Sequence, residues 1–211
     1  MVVKIAFFDF DDTLFPSSYL RTFSKNINVN FYDLKIDIKE DYAILDILIT
    51  NLMTDLLKKD YNIAIISCAQ TAHIIDCINI YSDEFKSIMN KITIYGRDNI
   101  LVNETAQEWK YTKMIDFIKS LKTINDDTYE IMSFGDSENE RQAYLNICKQ
   151  FKCVPKNIKL SERPSIVQLC HQWKRIHACI NIVIQSLDIV DLMLIYVQEK
   201  TPVINKNVTV C

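Results

Sequence analysis

Three carboxylates stand within four residues, directly after a short apolar run near the start of this 211-residue chain. The run covers residues 2–8, and Asp9, Asp11, Asp12 and the hydroxyl of Thr13 follow it. Carboxylates crowded at the end of a buried strand repel one another and lose hydration, which favours a site that needs a cation or a transferring group. Because side chains alternate along a strand, Asp9 and Asp11 would face one side, where both can act on one phosphoryl group.

A simpler interpretation is that this acidic turn caps a helix, with Asp12 or Thr13 as the N-cap. Polar residues after two later apolar runs weigh against it. Ser67 ends the run over residues 62–67, where its hydroxyl can either bind a phosphoryl oxygen or cap the next helix. Gly135 and Asp136 follow the run over residues 130–134, and Asp136 is a candidate second oxygen ligand for Mg²⁺.

Two further charged positions complete the candidate site. Glu140 can orient a metal-bound water or a lysine, or it can serve only as an acid in the first turn of a helix. Lys110 or Lys113 can offset the charge of the carboxylates and a phosphate, although either can also be a solvated helix residue. Lys110 is favoured because it precedes, at helical spacing, the apolar stripe that would dock this helix on the sheet.

The rest of the chain alternates short β-like runs with helical segments, which is typical of a parallel α/β sheet. The five predicted strands cover residues 4–8, 62–67, 91–94, 130–134 and 157–160. The predicted helices cover residues 41–59, 71–81, 108–121 and 138–150, and a C-terminal helical region runs from Pro164 to about residue 197. In such sheets ligands bind at the carboxyl ends of the strands, where the candidate site residues lie.

Composition excludes several classes of function. A net charge of −3 provides no basic surface for nucleic acid or anionic membranes. The two glycines, Gly96 and Gly135, are too few for a Walker A loop or a dinucleotide-binding fingerprint. The apolar run before Asp9 is too short for a signal peptide or a membrane span, and residues 187–197, interrupted by two aspartates, are predicted to form a buried helix.

Seven cysteines, an odd number spread along the chain, predict reduced thiols in a cytoplasmic compartment. A zinc site would have to combine Cys148, Cys153, Cys170 and His171. These positions contain no CxxC pair, so buried or surface thiols are the favoured interpretation.

The candidate residues together resemble the haloacid dehalogenase-like (HAD) hydrolase superfamily of the DxDxT phosphatase type. The matching parts, in order, are DxDxT at residues 9–13, the strand-end Ser67, a lysine at 110 or 113, and GDxxxE at residues 135–140. The segments DFDDTLFPSS, WK and GDSENERQA also resemble a subgroup of small HAD-like proteins known mainly from protists and large DNA viruses. The resemblance covers residues 1 to about 160 and implies a Rossmann-like three-layer α/β/α sandwich, here with a mainly parallel five-stranded sheet.

The resemblance also implies a role for each matched residue. Asp9 is the implied nucleophile that forms an aspartyl-phosphate, and Asp11 is the implied general acid and base. Mg²⁺ is the implied cofactor, held by Asp9, the carbonyl of Asp11 and Asp136. The implied phosphoryl-binding and supporting residues are Thr13, Ser67, Lys110 and Asp12, with Gly135, Glu140 and Lys113 behind them. Such a set fits the physics, because a dianionic phosphoester repels a carboxylate nucleophile until cations offset the charge.

Caps in this superfamily are inserted between the motifs, and little room for one remains here. Residues 16–40 are predicted to form a flap or very small cap within a single domain over residues 1–197, and residues 198–211 a loose tail. An uncapped site would admit macromolecular phosphorylated substrates. The expected activity is a Mg²⁺-dependent phosphomonoester phosphatase in the cytoplasm, or in the host cytoplasm for a viral protein. The alternatives are a phosphotransferase with the same intermediate and a non-catalytic binding module.

Overall fold

The structure, a computed structural model, describes residues 2–27, 39–99, 103–121 and 128–194. The predicted tail over residues 198–211 lies outside this set. Of the predicted flap over residues 16–40, residues 28–38 also lie outside it, and Ser17–Ile27 is a helix.

Six strands form one sheet in which every neighbouring pair is parallel. They are β1 (Val2–Phe8), β2 (Tyr61–Ser67), β3 (Thr93–Gly96), β4 (Thr128–Gly135), β5 (Lys156–Lys159) and β6 (Val190–Met193). Their order in the sheet is β3-β2-β1-β4-β5-β6. Successive strands add to one side of β1 and then, from β4 onwards, to the other. The carboxyl ends of β1 and β4 therefore form the topological switch point, where open α/β sheets bind ligands.

Seven helices in the described chain connect these strands. They are α1 (Ser17–Ile27), α2 (Lys39–Lys58), α3 (Thr71–Ile78), α4 (Asp83–Met89), α5 (Ala106–Ser120), α6 (Glu138–Phe151) and α7 (Ile166–Gln185). Capping boxes begin α5, α6 and α7, in which a Ser or Thr side chain and a Glu or Gln three residues later satisfy each other's backbone N–H groups. None of the helices in the described ranges is long and apolar enough to cross a membrane.

The alternation of side chains in the strands places helices on both faces of the sheet. In β1, Ala6 and Phe8 pack on one face with side chains of α2, α3, α4 and α7. Ile5 and Phe7 pack on the other face with α5 and α6. The predicted Rossmann-like three-layer α/β/α architecture is therefore confirmed.

Two predictions about the elements are wrong. The sheet has six strands, because α7 ends at Gln185 and part of the predicted C-terminal helix is β6. A short apolar run fits a strand as well as a helix by periodicity, and here Asp191 settles the choice through hydrogen bonds with Arg141 and with Asn157 of β5. The predicted helix over residues 71–81 ends at Ile78, and a second helix, α4, starts after Ser82, whose hydroxyl accepts a hydrogen bond from the Phe85 N–H.

Candidate active site

The candidate site lies at the carboxyl ends of β1 and β4. Asp9 follows β1 directly, and its N–H donates to the carbonyl of Phe134 at 2.9 Å, so sheet pairing continues to the acid itself. Asp136 follows β4, and Glu140 lies in the first turn of α6. Carboxylate oxygens of Asp9, Asp136 and Glu140 lie within 4.8 Å of one another. The fold thus brings together acids that are more than 100 positions apart in the chain.

Lys110 lies among these carboxylates. Its Nζ contacts Oδ1 of Asp9 at 2.6 Å and also contacts Oε1 of Glu140, and its side chain is only 3% exposed. Lys113, one helical turn further along α5, is 31% exposed and pairs with Asp116 at 3.0 Å. Of the two candidate lysines, the structure therefore brings Lys110 into the site and leaves Lys113 outside it.

Glu140 fits both of the interpretations that its sequence position allowed. Its Oε1 contacts Lys110, while its Oε2 accepts hydrogen bonds from the N–H and the hydroxyl of Ser137 in the capping box of α6. Gly135 makes this approach feasible, because a Cβ there would lie 3.0 Å from Cβ and Cγ of Glu140. The helix cap thus holds the carboxylate that in turn holds the lysine.

The electrostatics of the group are unbalanced, with three carboxylates for one lysine. Burial raises the pKa of Asp9 well above its usual value, and the nearby Glu140 and Asp136 add to this effect although Lys110 opposes it. Burial and the charge of Glu140 raise the pKa of Asp136 to about 7. Burial also opposes ionisation of Glu140 and Lys110. Even so, Lys110 and the hydrogen bond from Ser137 together lower the pKa of Glu140, and the charges of Asp9 and Glu140 together raise that of Lys110. Further positive charge would stabilise this site.

The donor set fits Mg²⁺. Lys110 contacts Oε1 of Glu140 and Oδ1 of Asp9, and Ser137 contacts Oε2 of Glu140. Oδ2 of Asp9 and the carboxylate of Asp136 are therefore left for a cation. Mg²⁺ prefers oxygen ligands and is usually held by one or two carboxylates, with waters and substrate phosphate completing the shell. Among the residues that the structure describes, this is the one cluster of three or more His, Cys, Asp or Glu residues with metal-binding spacing.

Asp11 lies in a separate hydrogen-bonded group. Its Oδ1 accepts a hydrogen bond from the Ser17 hydroxyl at 2.5 Å, and its Oδ2 accepts one from the Ser67 hydroxyl at 3.0 Å. Ser67 Oγ in turn accepts from the N–H of Ala69 at 3.0 Å. The Asp11 carboxylate is therefore held by two hydroxyl donors, outside the group of three carboxylates.

Asp12 and Thr13 complete the turn after β1. Asp12 has a left-handed backbone, with φ of 56°, and its Oδ1 accepts a hydrogen bond from the N–H of Ser18 in the first turn of α1 at 2.8 Å. Asp12 thus caps the first turn of α1, although it is not the N-cap that the simpler interpretation assigned, because α1 begins at Ser17. Burial raises the pKa of Asp12. The Thr13 hydroxyl is buried and has no hydrogen-bond partner within the described ranges, so it needs an acceptor that a bound ligand could provide.

The sequence reasoning missed three residues that hold the site. Ser137 was detectable, because Ser-x-x-Glu before a helix is the capping-box pattern. Ser17, which donates to Asp11, lies in the predicted flap and within the segment DFDDTLFPSS, but that resemblance assigned it no role. Trp173 of α7 donates from Nε1 to the carbonyl of Thr13 at 2.9 Å, across 160 positions, and nothing in local sequence indicates that contact.

The residues of the weaker zinc interpretation are not brought together. Cys148 packs on the face of the sheet that α5 and α6 cover, whereas Cys170 packs on the opposite face. The six cysteines in the described residues are free thiols, as predicted; Cys211 lies outside them.

Comparison with known proteins gives limited similarity. No family model matches the sequence, and no curated protein matches it. Among solved structures, the chain is similar to the HAD domain of the effector protein Lem4 from Legionella pneumophila. The two are 19% identical, the match covers 87% of this chain and 98% of that domain, and the TM-score is 0.45.

Proposed function

We propose that this chain is a HAD-type, Mg²⁺-dependent phosphomonoester phosphatase that works through an aspartyl-phosphate on Asp9. The observation that carries the proposal is the buried contact of Lys110 with Asp9 and Glu140, beside Asp136, at the switch point of the sheet. A buried group with two carboxylates in excess has no evident structural use, since unpaired buried charge is costly. Binding of a dianionic substrate together with a divalent cation would give these carboxylates a use.

In the first step, one carboxylate oxygen of Asp9 attacks phosphorus. A bond forms between that oxygen and phosphorus, and the bond from phosphorus to the leaving oxygen breaks. Lys110, already at 2.6 Å from Asp9, stabilises the negative charge that develops on the phosphoryl oxygens. Asp11 donates a proton to the leaving oxygen, held in place for this by Ser17 and Ser67.

In the second step, water attacks the aspartyl-phosphate. Asp11, now ionised, accepts a proton from the water as the new bond to phosphorus forms, and the bond from phosphorus to Asp9 breaks to release inorganic phosphate. The otherwise unpartnered hydroxyl of Thr13 would donate to a phosphoryl oxygen. Bound Mg²⁺, held by Asp9, Asp136 and the carbonyl of Asp11, would supply charge neutralisation for the incoming phosphate.

The test is phosphate release from a broad panel of phosphomonoesters with purified protein, with and without Mg²⁺. We expect release only with a divalent cation, and we expect Asp9→Asn protein to release none. Acid-quenched reactions with phosphorus-labelled substrate should show label on Asp9 of the wild type. Phosphate release from Asp9→Asn at the wild-type rate would contradict the assignment of the nucleophile.

A phosphotransferase would form the same aspartyl-phosphate and pass it to an acceptor other than water. Adding alcohols or nucleosides to the assay distinguishes the two, because a transferase would form a new phosphoester faster than it releases phosphate. A binding module would release no phosphate from any member of the panel. The excess of buried carboxylates weighs against that alternative, because a binding scaffold does not need them.

A further inference from the structure

The loop that follows β3 is hydrogen-bonded to the Ser67 loop, which comprises residues 68–70 directly after Ser67 at the end of β2. The N–H of Arg97 donates to the carbonyl of Ala69 at 2.8 Å. One residue further, the carboxylate of Asp98 accepts two hydrogen bonds from Thr71, from its N–H at 2.8 Å and from its hydroxyl at 2.7 Å. Residues 97–98 thus hold both ends of the short segment 69–71.

Asp98 acts as the cap of a helix to which it does not belong. The first turn of a helix has N–H groups without partners, and the residue before the helix usually supplies an acceptor. In α3 that residue is Gln70, which makes no such side-chain bond. Asp98 supplies the acceptor instead, and these hydrogen bonds from Thr71 lower the pKa of its carboxyl group.

The two loops approach so closely that Gly96 cannot carry a side chain. A Cβ at this position would lie 2.3 Å from N and 2.5 Å from Oγ1 of Thr71. Gly96 pairs in register with Ser67 at the ends of β3 and β2. The close approach therefore occurs beside the residue that donates to Asp11.

The same loop also reaches the helix that carries Lys110. The guanidinium of Arg97 donates from Nη2 to the carbonyl of Glu104 at 2.7 Å, just before the capping box that begins α5. Residues 97–98 thus contact both the Ser67 loop and the start of α5. A displacement of these two residues would shift the Ser67 loop and the start of α5 together.

We propose that Asp98 is a positioning residue for the reaction, which sets the orientation of Asp11 by fixing the Ser67 loop to the end of β3. The proposal rests on the proposed phosphatase function. Asp98 accepts hydrogen bonds from Thr71. Two residues before Thr71, the Ala69 N–H donates to Ser67 Oγ, and that hydroxyl donates to Asp11. Asp98 itself touches neither the substrate nor the reacting atoms.

The experiment is a double-mutant cycle of Asp98→Ala with Ser67→Ala. We expect Asp98→Ala alone to lower kcat about 10- to 100-fold with KM nearly unchanged, since a small misplacement of a catalytic group costs this much. In the Ser67→Ala background the same change should have little further effect, because the residue through which Asp98 acts is gone. Asp98→Asn, which keeps one acceptor oxygen, should recover much of kcat.

Ser165→Ala is the matched control, because it removes the N-cap of a different helix, α7, and none of the hydrogen bonds that hold the Ser67 loop. It should lower the melting temperature without changing kcat. Equal losses of kcat from Asp98→Ala in both backgrounds would overturn the proposal, because a general structural defect adds to the loss of Ser67 instead of acting through it.

Hydrogen exchange provides a readout that does not need activity. Asp98→Ala should speed exchange of the amides of Ala69 and Thr71, while those of α7 stay as protected as in the wild type. Unchanged exchange at residues 69–71 would overturn the proposal even if the wild type releases no phosphate. Inactive wild type would instead count against the phosphatase, so the two failures are distinguishable.

Discussion

Buried charges occur at both ends of the central strands, and the two ends differ in their balance. Near the amino ends, Glu130 of β4 accepts hydrogen bonds from the Tyr61 hydroxyl at 2.6 Å and from Lys156 Nζ at 2.8 Å. Lys156 also donates to the carbonyl of Ile184 at 2.6 Å. One carboxylate thus meets one ammonium group. At the carboxyl ends, Lys110 contacts two carboxylates, those of Asp9 and Glu140, and the carboxylate of Asp136 lies beside them without an ion pair among the described residues.

This difference separates a charge-compensated group from one with an excess of carboxylates. In the Glu130 group each charge is compensated, and burial together with Glu130 raises the pKa of Tyr61, which keeps its hydroxyl a donor. In the Lys110 group, burial and the neighbouring carboxylates raise the pKa of Asp9 and Asp136, so their charged forms are disfavoured unless further positive charge is supplied. Perturbed carboxylates in an unbalanced group are typical of functional sites.

Asp9→Asn should abolish turnover, lowering kcat by about 1000-fold or more, because the variant lacks the nucleophile. Its melting temperature should equal or exceed that of the wild type, since one of three crowded carboxylates has lost its charge. Steady-state kinetics and thermal unfolding of the same preparation measure both effects. Loss of activity together with a large loss of stability would show that Asp9 serves the fold.

Lys110→Ala should lower kcat and kcat/KM together by about 100-fold, because the lysine stabilises charge that develops during transfer. Lys113→Ala is the matched control on the same helix, and its exposed pair with Asp116 predicts rates within about twofold of the wild type. The reverse ranking would transfer the role to Lys113 and contradict the geometry of the site.

Lys156→Met should destabilise the protein by about 3 kcal/mol and leave kcat unchanged well below the melting temperature. The change leaves the Glu130 carboxylate without its cation, and the Lys156 side chain is only 6% exposed. Urea unfolding measures the loss. Lys58→Met is the control, because the Lys58–Asp55 pair is exposed and should contribute little. A large loss of kcat in Lys156→Met would contradict a purely structural role of the Glu130 group.

Mg²⁺ should raise the melting temperature, since a ligand that binds only the folded state stabilises it by about 2.7 kcal/mol at 100 times its Kd. Asp136→Ala should remove most of this rise. Asp83→Asn, at an exposed acid paired with Lys86, should keep it. Identical melting curves of the wild type in EDTA and in millimolar Mg²⁺ would contradict a divalent site.

The smallest effect is expected at the sheet edge, where Asp191 of β6 pairs with Arg141. The Arg141 hydrogen bonds lower the pKa of Asp191, so its folded-state pKa lies below the unfolded value of about 3.9. The pair therefore stabilises the protein above that value, and this contribution is lost as the pH falls through the folded-state pKa. In urea unfolding between pH 3 and 7, the free energy of unfolding should fall less steeply with decreasing pH for Asp191→Asn than for the wild type. Equal slopes would mean that this exposed pair contributes nothing measurable.

The architecture was largely predictable because local sequence determines it. Apolar runs of strand length alternate with helical periodicity, and five of the six strands are where the pattern predicts them, within one or two residues. The exception, β6, is a four-residue edge strand. Its apolar pattern fits a helix as well as a strand, so pairing with β5 determines that it is a strand. The positions of Asp9 and Asp136 at neighbouring strand ends also followed, because parallel strands present their carboxyl ends at one edge.

The pairing of the polar atoms, by contrast, could not be predicted from local sequence. Spacing allows Lys110 or Lys113, and the docking of α5 buries the first against Asp9 and leaves the second exposed. The sequence places Asp11 near Asp9, yet its partners are hydroxyls of α1 and β2. Hydrogen bonds and ion pairs depend on distances of a few tenths of an ångström between distant segments, whereas periodicity records only which face of an element is apolar. Hence the sequence alone determined most of the elements and the strand ends that carry the candidate acids, and packing decided which side chains share the site.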